Sequence, residues 1–363
     1  MTEQRLTLAA GTRLLHIGPY KTGTTALQGA FHHSRERLAA GGAVYAGKGR
    51  QARVAAAAVT GARLRKGSVT PTAADWDGLC AEVAAAGERR VMISSEAFCN
   101  AEADAARRAV EGLGGERVHV AVTLRPLVKI VPSQWQQDVK DGLCTPYEEW
   151  LETVFRGPRQ DPVAATFWLR HRHDELVARW VRAVGPDRLT VVVVDETDRD
   201  MQLRVFEELL GVAAGTLVPE DGVINRSLTL GEVELLRQLN IEAEARGWSG
   251  GRYHKVIRNG VMRHLDQTYS PPPDAPRITT PRWATEAAAA VANEIVAGIT
   301  AAGVRVAGNL HSLAPPPAPP TAPSAAPAAP PTAALPAEAA AAALWGGLQA
   351  AARKPKTPPA HHR

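Results

Sequence analysis

The densest chemistry in the chain sits at residues 18–25, Gly-Pro-Tyr-Lys-Thr-Gly-Thr-Thr. Lys21 and the hydroxyls of Thr22, Thr24 and Thr25 fall within five residues, and such side chains are poor packing material. Before them Leu14 to Ile17 reads as a short buried strand, which stops at Gly18-Pro19. From Ala26 the apolar spacing (Ala26, Leu27, Ala30, Phe31) becomes helical. A strand, a glycine-containing loop and a helix start together make a cradle for an anion. Free backbone N–H groups at the helix N-terminus face it, and the helix dipole favours negative charge there.

Three further stretches carry candidate groups. Val91 to Ile93 is a compact apolar strand, and Ser94-Ser95-Glu96 lies at its carboxyl end, where open α/β sheets bind ligands. Glu96 there can act as a general base; the competing reading is that Ser95 or Glu96 caps the next turn. Val118 to Leu124 is a longer strand that ends at Arg125-Pro126, and Ser133 follows eight residues later inside the helix Leu127 to Lys140. A guanidinium fork and a hydroxyl so placed suit a phosphate. Arg188 to Val194 is a fully apolar strand ending in Asp195-Glu196, which could hold Mg²⁺ in a nucleoside triphosphatase.

The Lys21 loop resembles a Walker A motif, G-x-x-x-x-G-K-[ST], with Gly18, Gly23 and Thr25 in place. The lysine, however, stands at 21, and Thr24 occupies its position. Lys-Thr-Gly-Thr-Thr is more similar to the 5′-phosphosulfate loop of sulfotransferases that use PAPS (3′-phosphoadenosine 5′-phosphosulfate). Arg125 and Ser133 have the arrangement and spacing of that family's 3′-phosphate site. The resemblance covers roughly residues 12 to 310, and its specific content is these two motifs. It implies that Lys21, Thr22, Gly23, Thr24 and Thr25 hold the phosphosulfate and that Arg125 and Ser133 hold the 3′-phosphate. It further implies that Lys21 offsets charge on the leaving phosphate oxygen, and that Glu96 takes a proton from an acceptor hydroxyl or amine, with no metal. The acceptor is expected to be a carbohydrate or a small molecule. Two rivals remain: a P-loop kinase using ATP and Mg²⁺ at Thr25 and Asp195, and a non-catalytic adaptor that keeps the nucleotide fold.

The elements that must position these groups alternate. Strands at 13–18, 91–95, 118–124 and 188–194 are separated by helices, with a short extra strand at Ala43-Val44-Tyr45. This predicts an α/β fold, a mainly parallel sheet flanked by helices. The resemblance narrows it to the P-loop-type sulfotransferase fold. Helices are expected at 73–86, 102–113, 127–140, 146–155, 201–210, 230–245 and 282–301, and as one long element from Ala164 to Val184. His171 and His173 on that helix read as surface residues. The polar run Gln136 to Asp141 reads as a solvated face with Trp135 turned inward, and Lys140 is its best candidate for contacting an anionic acceptor. Asn225-Arg226-Ser227 precedes a helix that Ser227 or Thr229 can cap. Gly247 to His264 is rich in basic residues, and its Arg258-Asn259-Gly260 is a loose counterpart of the late basic loop with which the resembled family closes its 3′-phosphate pocket.

Composition bounds the rest. The 363 residues carry 42 Lys+Arg against 37 Asp+Glu, a mild excess that suits an anionic ligand and shows no nucleic-acid-binding pattern. Cys80, Cys99 and Cys144 are too scattered for a disulfide framework or a zinc site. They fit reduced thiols in a cytoplasmic protein. No signal-peptide core and no apolar run approaching the roughly 18 residues of a membrane span is present. From Ala314 the chain is dominated by Pro and Ala. The expected organisation is therefore a domain over 1–313 and a disordered tail over 314–363, in which 337–353 could form a short helix around Leu344, Trp345 and Leu348.

Overall fold

The computed structural model describes residues 6–62, 64, 69–198, 200–220, 226–314 and 334–352. In chain order its elements begin with β1 (Arg13–His16), α1 (Thr24–His33), α2 (Arg35–Ala40), β2 (Ala43–Tyr45), α3 (Arg53–Thr60) and α4 (Ala73–Ala85). They continue with β3 (Arg90–Ser94), α5 (Ala103–Leu113), β4 (Val118–Leu124), α6 (Leu127–Lys140), α7 (Tyr147–Phe155), α8 (Pro162–His171) and α9 (His173–Val184). Then come β5 (Leu189–Val193), α10 (Met201–Leu210), α11 (Leu230–Ala245), α12 (Gly250–Tyr253), a π-helical stretch His254–Met262, α13 (Arg263–Thr268), α14 (Arg282–Ala301), β6 (Arg305–Ala307) and α15 (Ala337–Ala352).

The six strands form one sheet in the order β2-β3-β1-β4-β5-β6. Every neighbouring pair is parallel. The expected α/β class is therefore what the chain adopts. The strands read as unbroken apolar runs because both faces are covered; β4 is buried at all seven positions. Alternation then sorts their side chains. Leu15, Val91, Ile93, Val120, Val122 and Val191 join the core beneath α3, α5, α9 and the C-terminal half of α14. Leu14, Met92, Ala121 and Val192 face the opposite core with Leu27 and Phe31 of α1 and Phe206 and Leu209 of α10. A third core is helical, built from α6, α7, α8, α11 and the N-terminal half of α14 around Trp135, Trp150 and Phe167. Local chemistry sets the helix starts: Thr72 with Asp75 and Thr229 with Glu232 form capping boxes.

Four sequence expectations change. The helix foreseen over 164–184 is two helices broken at Arg172, whose side chain bonds Asp174 (2.8 Å) and Glu294 (3.1 Å). The flanking His171 and His173 turn inward at the break and are 0% and 1% exposed, so they are core groups and not surface ones. The basic segment 247–264 is not a loop; from Gly250 it is helical, with its π-helical part at His254–Met262. Strand β6 extends the sheet beyond β5.

The helix foreseen near the C-terminus forms as α15 and packs on the domain. Ala339, Ala343, Gly346 and Ala350 make its buried face. A Cβ on Gly346 would lie 2.6 Å from the Gly260 carbonyl oxygen, so the two backbones meet with no room for a side chain. Leu344, Trp345 and Leu348 point outward. The Pro-rich stretch 315–331 lies outside the described residues.

Candidate functional site

Strand order places the site. From β1 the chain leaves toward β2 at one edge of the sheet, whereas from β4 it leaves toward β5 on the other side. A crevice opens where adjacent strands diverge in this way, at their carboxyl ends. The Lys21 loop leaves β1 there and Arg125 leaves β4. The two are tied together: the Thr123 N–H donates to the Gly18 carbonyl (3.2 Å), and the Ile17 N–H to that of Ala121 (3.1 Å).

The loop is held in an unusual backbone conformation. Gly18 and Gly23 have φ of 78° and 82°, and Lys21 has φ 68°, the one non-glycine residue with positive φ among the described residues. A non-glycine residue there costs about 1 kcal/mol or more. Thr22 anchors the strained turn. It is fully buried, donates to the Pro19 carbonyl (2.7 Å) and pairs with the Thr123 hydroxyl (2.9 Å). Its hydroxyl is thus turned away from the crevice, and only its backbone N–H is left for an anion. Gly23 is the N-cap of α1 and provides no capping side chain, so the first-turn N–H groups have none to accept from them. Thr25 is exposed on that turn.

Glu96 comes up against the loop. A Cβ on Gly18 would meet the Glu96 Cα at 3.1 Å, which is why glycine is needed at that position. The buried Thr24 hydroxyl donates to the Glu96 carboxylate. Ser95 does the capping here: its Oγ accepts the Ala97 N–H (3.2 Å) and donates to Gln51 Oε1 (3.0 Å). The structure therefore gathers Lys21, Gly23, Thr24 and Glu96 at one place. Lys21 Nζ donates to Gln137 Oε1 of α6 (3.0 Å). Burial, with the Lys140 ammonium nearby, pushes Lys21 down to about 8, against the pull of Glu96, Asp141 and Asp138. The polar face of α6 is thus turned toward the loop and is not a solvated surface. On the same helix, burial raises Asp138 to about 6 although Gln134 donates to it (2.7 Å).

Arg125 and Ser133 line one cavity of about 440 Å³, together with Lys129, Gln136, Arg226 and Arg277. Arg125 is ion-paired with Glu196, and Lys129 stands 3.9 Å from the other Glu196 oxygen. Arg226 is fixed by two bonds to Glu232 (2.8 and 2.6 Å). Gln136 accepts the Leu228 N–H (2.9 Å), which joins the two walls. The Asp195 carboxylate caps its own turn, accepting from the Thr197 N–H (2.8 Å) and hydroxyl (2.6 Å).

Gln137, Arg226 and Arg277 were not singled out by sequence reasoning. Arg226 lay in a segment that drew notice, whose Asn225 is outside the described residues; Gln137 lay in the polar run 136–141, read as a solvated face, and Arg277 carries no local signal. Arg258 lies over the end of α6, donating to the Lys140 carbonyl (2.9 Å) and pairing with Asp141.

No protein-family model and no curated protein matches the chain. Among solved structures it is similar to a sulfotransferase from Alicyclobacillus acidocaldarius, at 19% identity, covering 65% of this chain and 93% of that one, with a TM-score of 0.42. At that TM-score the likeness carries no functional weight.

Proposed function

We propose that the protein is a sulfotransferase that moves a sulfuryl group from PAPS to a hydroxyl or amine of a carbohydrate or small-molecule acceptor. One observation carries the reading: a loop bearing a half-buried lysine, with a carboxylate hydrogen-bonded at its end, shares the mouth of the sheet with a cavity lined by three arginines and a serine. The two halves suit the two ends of a nucleotide with phosphates at both the 5′ and 3′ positions.

The groups present fit such a donor. Lys21 and the N–H groups of residues 22–25 hold the 5′-phosphosulfate, and Arg125 and Ser133 hold the 3′-phosphate, with Arg226 and Arg277 adding positive charge. The donor, when bound, supplies the sulfuryl group. Lys21 offsets the charge that grows on the departing phosphate oxygen. Glu96 takes the acceptor's proton as the acceptor oxygen or nitrogen attacks sulfur. The kinase reading loses ground because Lys21 does not stand at the Walker lysine position, which Thr24 occupies.

Thermal unfolding with PAP (the desulfated donor), ATP–Mg²⁺ and GTP–Mg²⁺ in parallel tests the assignment. At about 100 times its Kd a ligand that binds only the folded protein stabilises it by about 2.7 kcal/mol. PAP should raise Tm by several degrees, and the triphosphates should raise it less. A larger shift with ATP–Mg²⁺ than with PAP overturns the proposal.

A further inference from the structure

We propose that Gln137 is the positioning residue for Lys21, holding its ammonium toward the crevice through a neutral relay that ends at Arg258. Four groups form the relay in line. Lys21 Nζ donates to Gln137 Oε1 (3.0 Å), Gln137 Nε2 donates to Asp141 Oδ2 (2.9 Å), and Arg258 donates to Asp141 Oδ1. The order fixes the amide. An ammonium can only donate and a carboxylate can only accept, so a single orientation of the Gln137 amide satisfies both neighbours. Gln137 and Asp141 stand four residues apart on one helical face, which brings them together without strain. Arg258 is held in turn by the Lys140 carbonyl (2.9 Å).

The neutrality of the residue at 137 is the point of the device. A carboxylate there would form an ion pair with Lys21 and compete with any anion entering the loop. An apolar side chain would leave a half-buried ammonium with one acceptor fewer. The amide oxygen aims the cation and leaves its charge undiminished for a ligand. Asp141 supplies negative charge one bond further away, and Arg258 balances it. The other charges facing Lys21 are Glu96 from the turn after β3 and Lys140 and Asp138 from α6; the buried His171 of α8 is held neutral, its pKa pushed well below the ordinary value by burial.

This inference rests on Lys21 being the anion-binding lysine proposed above, and the test separates the two. The probe is PAP, titrated calorimetrically from pH 7 to 10, where its phosphates keep a constant charge. Lys21 binds an anion as the ammonium, so affinity should be flat below about 8 and fall as pH rises through it. Lys21→Met should abolish that fall. In Gln137→Glu the new carboxylate favours the ammonium, and the fall should move up by about one unit or more, with weaker binding at pH 7. In Gln137→Met, which keeps length and loses the acceptor, it should move down. No PAP binding by the wild-type protein removes the functional reading itself. Binding whose pH dependence vanishes in Lys21→Met but is unmoved in Gln137→Glu overturns the role of Gln137. Should that variant fail to fold, an unmoved profile in Gln137→Met overturns it equally.

Discussion

Arg125→Ala is the substitution whose consequence the structure defines most sharply. The Arg125 side chain is 29% exposed and lies on the Glu196 carboxylate, itself 43% exposed. A phosphate entering the cavity gains a charge-assisted hydrogen bond, about 1.5–3 kcal/mol. It must also loosen an ion pair that is open to solvent, and such pairs contribute about 0.2–1 kcal/mol. The difference is about 0.5–2.8 kcal/mol, or about 2- to 110-fold in affinity. Arg125→Ala should weaken PAP by that factor and leave adenosine 5′-phosphate, which lacks the 3′-phosphate, as weakly bound as before. Glu196→Gln should act in the opposite direction: freed of its partner, Arg125 should bind PAP about 1.4- to 5-fold more tightly. Calorimetric titration of both nucleotides into the three proteins at one fixed salt concentration reads all of this. Equal affinity of the wild-type protein for the two nucleotides would refute the assignment of a 3′-phosphate site. A loss of PAP affinity in Glu196→Gln would show that Glu196 orients Arg125 for the ligand and does not compete with it.

Two further outcomes are expected. Glu96→Gln keeps the shape and the acceptor for the Thr24 hydroxyl but cannot take a proton, so turnover should fall about 10²- to 10⁴-fold while PAP binding persists; lost PAP binding would make Glu96 a structural residue. Gly346→Val places a side chain where 2.6 Å separates it from the Gly260 carbonyl, an overpacking worth about 1–3 kcal/mol. Hydrogen exchange across 254–268 should rise and Tm should drop, and unchanged exchange there would mean that α15 does not brace that segment.

Much of the fold was legible because its signals are local. Leu14 to Ile17, Val118 to Leu124 and Arg188 to Val194 are apolar on both faces, a pattern that a buried parallel sheet imposes on sequence. Strand β6 escaped because three residues, Arg305-Val306-Ala307, carry too short a pattern, and their strand character comes from pairing with β5. His171 and His173 misled for a related reason. Their neighbours in sequence are charged, but the break at Arg172 turns both rings inward, with His171 against Phe167 at 4.7 Å between centroids. At 247–264 the loose match of Arg258-Asn259-Gly260 to a family loop gave no hint of a helix. Gly260 is there because α15 crosses it at van der Waals limits, a reason that lies some ninety residues further along the chain.

The site divides along the same line. The proposed anion cradle is a local object, since strand, turn and helix start follow one another in the chain, and Lys21 to Thr25 mark it in the sequence. The Arg125 and Ser133 pair was also local, one at a strand end and one in the helix that follows. What completes each half is distant in sequence. Gln137 reaches Lys21 across 116 residues, Arg226 joins the cavity from a segment noted only for its helix cap, and Arg277 joins it from one with no motif of its own. Loops that present a ligand group can be recognised from their own residues, because backbone geometry restricts which residues fit. The groups that aim and charge-balance those loops come from whatever element happens to pack against them, and any helix face with a glutamine or an arginine could do so. The direction of the Lys21 ammonium is therefore a property of how α6 lies over the loop, and it becomes visible only when the two are seen together.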